Sequence, residues 1–182
     1  MARKARTVIQ QTPAHITQRG NNKNVVFLEN EDKALFMRLL GKYAMKYNTP
    51  VHSFCLMDNH YHIACTPPEQ DSMAKLFGQL NWGYSTYHNN KYGKSGHTWQ
   101  ERFRSTHMTG LHLVRAMRYI EMNPVSAGLV SNPLAWNWSS ARITSQITHP
   151  WFKLPVWWDS YFTSQKWHEY LLSIPKECDI YR

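Results

Sequence analysis

At 182 residues and 21.5 kDa, with 42% apolar and 14% aromatic residues, the chain is long enough for one globular domain with a real core and too apolar for a disordered basic tail. Its 21 Lys and Arg against 12 Asp and Glu leave +9 before any of the 10 His residues is counted, which makes a polyanion the first partner to consider. No apolar run approaches the roughly 20 residues of a membrane span, and the composition excludes collagen, coiled coil and disordered linker.

The start of the chain, Arg3-Lys4-Ala5-Arg6, is basic but is followed by no apolar stretch, so no secretory leader is expected. Residues 1–13 read as a basic N-terminal segment, either a DNA arm or a solvated tail. Residues 14–19 alternate as a half-buried strand does, and Gly20-Asn21-Asn22 turn out of it into a basic loop. Leu35, Leu39, Tyr43 and Ala44 then recur at helical spacing between Asn30, the candidate N-cap, and the stop at Asn48-Thr49-Pro50. Val51 to Cys55 and His60 to Cys65 read as two strands joined tightly through Met57-Asp58-Asn59, a hairpin. Ser72 to about Asn89 reads as a second helix with Met73, Leu76, Phe77, Leu80 and Tyr84 on one face. A loop over Tyr92–Gly96 leads to a fourth strand, Phe103 to Met108, and a third helix, Leu111 to Asn123, expected to stop at Pro124.

The order β-α-β-β-α-β plus one helix predicts an α+β chain of the ferredoxin-like split βαβ kind, an antiparallel sheet with helices on one face. The domain proper is expected over 14–140. Residues 141–182 form a tail rich in Trp and Pro with no clear period until Trp167 to Leu172, expected to wrap over the core. Cys55, Cys65 and Cys178 are odd in number and lack CxxC spacing, so they read as reduced thiols of a cytoplasmic protein. There is no Gly-rich phosphate loop, so nucleotide hydrolysis has no support.

In a strand, alternate side chains share a face, so His60 and His62 project together while Tyr61 and Ile63 project from the other side. Two imidazoles side by side can grip one divalent metal, although a His-x-His strand is equally what a His-rich surface strand looks like. On the third helix Tyr119 and Asn123 lie one turn apart, with His112 between them in angle, and Leu113, Val114, Met117 and Ile120 form a separate apolar stripe. A half-buried tyrosine and a helix-terminal asparagine are the bland readings of those positions. Taken together, two histidines and an amide oxygen suit a metal that polarises a phosphodiester, with a tyrosyl oxygen as the attacking group. Free tyrosine, with a pKa of about 10, needs a nearby cation or base to favour the phenolate. For phosphoryl work on this ligand set Mg²⁺ or Mn²⁺ is expected.

Four ordered blocks carry a resemblance: His15-Ile16-Thr17-Gln18-Arg19-Gly20-Asn21-Asn22, Leu56-Met57-Asp58-Asn59-His60-Tyr61-His62, Gly96-His97-Thr98-Trp99-Gln100-Glu101-Arg102-Phe103-Arg104-Ser105, and Arg118-Tyr119-Ile120-Glu121-Met122-Asn123-Pro124-Val125-Ser126-Ala127-Gly128-Leu129-Val130. Over roughly residues 5–140 the chain resembles the REP-associated tyrosine transposases, in the single-tyrosine branch of the HUH single-strand nuclease superfamily. The resemblance implies that His60 and His62 are the HUH ligands, with a tyrosine between them where the founding motif has a bulky hydrophobic residue. It implies that Tyr119 is the nucleophile and that Asn123 takes the place of a polar third ligand. It implies a metal-dependent cleavage of single-stranded DNA beside palindromic hairpins, through a 5′-phosphotyrosine that needs no ATP to reverse.

Arg19, Asn21, Lys23, Arg102 and Arg104 are the candidate DNA-binding residues, with Trp99 or Phe103 available to stack on an unpaired base. The partner expected is hairpin-bearing single-stranded DNA, with no membrane contact and a monomer favoured over a homodimer. Two alternatives stand beside this: a nuclease in which the histidines activate water, and a non-catalytic hairpin-binding protein derived from a transposase.

Overall fold

The computed structural model describes residues 8–145 and 149–173. The basic cluster Arg3, Lys4, Arg6 and the thiol of Cys178 lie outside the described residues. Strand β1 spans Ala14–Arg19, helix α1 Asn30–Lys46, β2 Val51–Leu56, β3 His60–Cys65, α2 Ser72–Tyr92, β4 Arg104–His107, α3 Leu111–Ser126 and α4 Ser164–Ser173. The four strands form one sheet in the order β2-β3-β1-β4 with every neighbouring pair antiparallel, the split βαβ arrangement.

Alternation along the strands sorts side chains to two faces. Ile16, Phe54, Leu56, Tyr61 and Ile63 pack with Phe36 and Leu40 of α1 and Leu76, Phe77 and Leu80 of α2. Cys55 and Ala64 face the other way, into a second core with Leu113, Met117 and Ile120 of α3 and Trp167 and Leu171 of α4. Helices α1 and α2 therefore share one face, and α3 lies on the opposite one over β2 and β3.

The strands begin and end within one residue of expectation, and three helix boundaries differ from it. The N-cap of α1 is Glu29, not Asn30, because the buried Asp32 carboxylate reaches back to accept from the amides of Leu28 (2.9 Å) and Glu29 (3.0 Å). Helix α2 runs on to Tyr92, where Gly93, at φ +59°, supplies the left-handed cap. Helix α3 does not stop before Pro124. The ring withholds one N–H, yet the Asn123 and Pro124 carbonyls are taken up downstream by the amides of Ala127 and Leu129, each at 2.9 Å.

The tail, together with Trp138 just before it, wraps the core by closing an edge. All six residues of β2 are buried although the strand is outermost, because the Val51 amide donates to the Trp151 carbonyl (3.0 Å), Lys153 returns a bond to Val51 (2.9 Å), and Leu56 donates to Trp138 (2.9 Å). Trp151 sits so close to α1 that a Cβ added at Gly41 would lie 2.6 Å from its Nε1. On the far side Arg118 of α3 donates to the carbonyls of Tyr170 (3.2 Å) and Leu171 (2.9 Å), and Trp167 Nε1 donates to Glu121 (2.7 Å). Among the described residues no helix is long and apolar enough to cross a membrane.

Candidate active site

Strand register sets the site. The β1–β3 pairing puts Thr17 opposite His62 and Arg19 opposite His60, and the β1–β4 pairing puts Thr17 opposite Arg104 and His15 opposite Thr106. By alternation all of these point to the α3 side of the sheet, where α3 packs mainly over β2 and β3 and reaches β1 through the Tyr119 ring, 6.0 Å from that of His15. The remaining half becomes the floor of a cleft of about 890 Å³, with Tyr119 and Asn123 on its helical wall and Arg102 and Arg104 on the opposite rim.

Gly20 ends the floor. Its amide donates to Asn59 (2.8 Å) and it bridges to Trp99, while Asn21 donates to Thr98 (2.9 Å) and Gln100 to Arg19 (3.0 Å). No larger residue fits at Gly20: a Cβ would collide with the Asn24 carbonyl oxygen and lie 2.7 Å from Val26 Cγ1. One small residue thus holds the β2–β3 turn and the 98–100 segment together around Arg19.

The imidazole rings of His60 and His62 stand 5.0 Å apart, and the Tyr119 ring is 5.5 Å from His62 in an edge-on arrangement. His62 Nδ1 is 2.9 Å from His15 Nε2, and His60 Nδ1 donates to Asn59 Oδ1 at 2.6 Å. Each Nδ1 is therefore committed to a neighbour; the Nε2 of His62 is left for chemistry, and His60 is also hydrogen-bonded to the Asn123 side chain. Burial holds His15 and His60 down to about 4. At His60 the Arg19 guanidinium adds to that effect, while a side-chain hydrogen bond with Asn123 opposes it. Burial pushes His62 well below the usual histidine range, with His15, His60 and Arg19 acting in the same direction. Neutral imidazole is the ligating form, so the pair with the Asn123 amide fits a divalent cation in donor type and protonation. Among the described residues no group of three or more His, Cys, Asp or Glu is arranged to hold a metal, so any ion here would depend on that amide.

Of the candidates from sequence, Tyr119, His60, His62, Asn123, Arg19, Lys23, Arg102 and Arg104 all line this cleft. Asn21 does not; it sits in a 3-10 turn over Asn21–Lys23. His112 is exposed in the first turn of α3. It matches Tyr119 in angle but is seven residues away, about 10 Å along the axis at 1.5 Å per residue. Trp99 and Phe103 are 8% and 5% exposed and belong to the α1–α2 core, so neither offers a stacking face. The residue missed was His15, legible as the first of the His15, Thr17, Arg19 alternation once the partner strand is known.

The family model described as transposase IS200-like matches residues 8–123. The fold is similar to a solved REP-associated tyrosine transposase bound to a REP hairpin, with a TM-score of 0.64 at 19% identity over 79% of this chain and 85% of that one. A crystal structure assigned as a transposase of Deinococcus radiodurans R1 is less similar, with a TM-score of 0.46 at 13% identity over 66% of this chain and 96% of that one. No curated protein matches the sequence.

Proposed function

The chain belongs to the IS200-like transposase family, and from that premise we propose that it is a REP-associated tyrosine transposase, a divalent-metal-dependent endonuclease and strand transferase acting on single-stranded DNA beside palindromic hairpins. The observation that carries this reading is the meeting of Tyr119, His60, His62 and Asn123 in one cleft rimmed by Arg19, Lys23, Arg102 and Arg104. His60, His62 and Asn123 would hold Mg²⁺ or Mn²⁺, which when bound neutralises charge developing on a phosphodiester oxygen.

Tyr119 Oη attacks the phosphorus, and the new P–Oη bond replaces the P–O3′ bond. The phenol gives up its proton and the departing O3′ gains one, which leaves a free 3′-hydroxyl and the 5′ side on Tyr119 as a phosphotyrosine. One phosphodiester is exchanged for another, so attack by a 3′-hydroxyl reverses the step with no nucleotide consumed. The rim cations bind backbone phosphates and fix the strand, and Asn21 acts from the adjoining turn. All of these groups come from one chain, which supports a monomer as the working unit.

The test is incubation with hairpin-bearing single-stranded DNA and Mn²⁺ or Mg²⁺, followed by a denaturing gel. Wild type should give a covalent adduct with the 5′ end on a peptide containing Tyr119. Tyr119→Phe should bind the DNA and give neither adduct nor cleavage. A free 5′-phosphate formed at undiminished rate by Tyr119→Phe would select the water-activating reading. Binding without cleavage by wild type would select the non-catalytic one.

A further inference from the structure

A second cavity, of about 680 Å³, adjoins the cleft and shares Gln100, Glu101 and Arg102 with it. That volume falls within the roughly 300–1,000 Å³ typical of small-molecule sites. Its character is different. One wall is the stripe Asn81, Trp82, Ser85, Thr86 and Asn89 of α2, spaced to share a helix face, and the other is the segment 96–102. The helical wall carries amides, hydroxyls and an indole but no charge, in a protein of net charge +9.

Trp82 is 72% exposed, against the 8% and 5% of Trp99 and Phe103. Nothing in the packing of the core requires an indole there.

The two walls of the groove are tied together. Asn89 donates from Nδ2 to Gly96 (3.1 Å) and accepts from Thr98 Oγ1 (3.3 Å), and Trp99 Nε1 donates to the Asn81 carbonyl (3.3 Å), so the loop is pinned to the helix. Asn81 is itself oriented. Its Oδ1 accepts from the Tyr61 hydroxyl at 3.0 Å, so its Nδ2 is the end left for the groove. Tyr61 is the residue between the two site histidines, and alternation sends it through the sheet to the α2 side. The strand that carries His60 and His62 therefore also sets the polarity of the neighbouring groove.

We infer that this groove takes an unpaired nucleotide of the DNA strand that enters the cleft, its base stacked on Trp82 and its edge read by Asn81 Nδ2. The inference rests on the reading of the cleft as a DNA site. The charge distribution supports the division of labour: cations line the cleft, where phosphates would lie, and the groove's helical wall, where a base would lie, carries only neutral donors and acceptors, its charged residues Glu101 and Arg102 lying on the segment shared with the cleft. Continuity through Gln100, Glu101 and Arg102 gives the strand a path between them.

The test is equilibrium binding by fluorescence anisotropy in EDTA, where no cleavage occurs, so that the result does not depend on Tyr119 chemistry. The probes are a blunt DNA hairpin, the same hairpin with an unpaired flank on its 5′ or its 3′ side, and the flanked hairpins with abasic sites in place of the flank bases. Wild type should bind one of the flanked hairpins more tightly than the blunt one, and abasic substitution should remove that gain. Trp82→Ala should lose it too, by on the order of 5- to 100-fold, while binding the blunt hairpin as wild type does. Trp82→Phe should keep most of it. A flank gain that survives Trp82→Ala, or that abasic sites leave intact, overturns the inference. So does a change of self-association in Trp82→Ala with all DNA affinities unchanged, which assigns the face to a second copy of the chain. Failure of wild type to bind any hairpin overturns both this inference and the DNA reading of the cleft. A Trp82-dependent flank gain without an adduct in the cleavage assay leaves the groove standing and removes only the tyrosine chemistry.

Discussion

Glu121 lies two residues from both Tyr119 and Asn123 yet faces inward, and its replacement by glutamine tests what fastens that helix. The carboxyl is fully buried; it accepts from Ser140 Oγ at 2.6 Å, Ser53 Oγ at 3.3 Å and Trp167 Nε1 at 2.7 Å. Burial raises its pKa from 4.5 to about 7, with the bonds from Ser140, Trp167 and Ser53 acting the other way. Between those pH values the folded protein keeps a proton that the unfolded chain has lost. The stability from this group is fully present below pH 4.5 and is lost as pH rises through about 7. At about 1.4 kcal/mol per pH unit the loss is roughly 3 kcal/mol. Glu121→Gln is neutral throughout; its oxygen can accept from Trp167 and its amide can donate to the Ser140 hydroxyl. His15 and His60, held down to about 4 by burial, have the opposite sign and lose stability on acidification, but they do so in both proteins and cancel in the difference. Urea unfolding of wild type and variant from pH 4.5 to 8 should show the variant gaining roughly 3 kcal/mol on wild type across that range. A difference that stays flat with pH would mean that Glu121 is ionised in the fold, and the reasoning fails.

Three further outcomes are expected. The proposed ligand set of His60, His62 and Asn123 carries no negative charge and Arg19 acts on His60, so Mn²⁺ measured by EPR should bind Tyr119→Phe poorly alone and more tightly with DNA, and His60→Ala should remove the DNA-dependent part; equal affinity with and without DNA refutes this. Hairpin affinity should fall with salt by about 0.7 to 0.9 log units per log unit for each phosphate neutralised, and Arg102→Glu should weaken binding and flatten the slope; a slope already flat in wild type puts the +9 charge elsewhere. Gly41→Ala should cost about 1–3 kcal/mol in urea unfolding, because its methyl meets the rigid Trp151 ring at 2.6 and 2.9 Å; an unchanged midpoint would mean that the tail is not seated on α1.

The elements that could be read in the sequence were those with a local signal. The alternation at His60 and His62 and the one-turn spacing of Tyr119 and Asn123 needed only strand and helix periods, and both pairs meet in the cleft. His15 needed the β1–β3 register, which pairs residues more than 40 apart and leaves no mark in either strand alone. Pro124 reads as a stop because proline disfavours helical geometry in the residue before it, whereas its own carbonyl can still accept from Leu129. Trp99 and Phe103 carry the right residue types for stacking, but their block folds inward, and composition cannot distinguish a core aromatic from a platform. Trp82 lay on a helix whose opposite face supplied the apolar period, so an exposed indole there carried no periodic signal.

Helix α3 is bolted down on both sides of the proposed nucleophile: Arg118 to the backbone of α4, Glu121 to β2, to Ser140 and to Trp167. A phenol mounted on such a beam is held at one station relative to His60 and His62. In a reaction that cuts and rejoins, the travelling part is then the nucleic acid. On the proposed mechanism each new 3′ end would be carried to a stationary phosphotyrosine, and exchange of DNA through the open β1–β4 side of the cleft would pace turnover rather than a swinging helix.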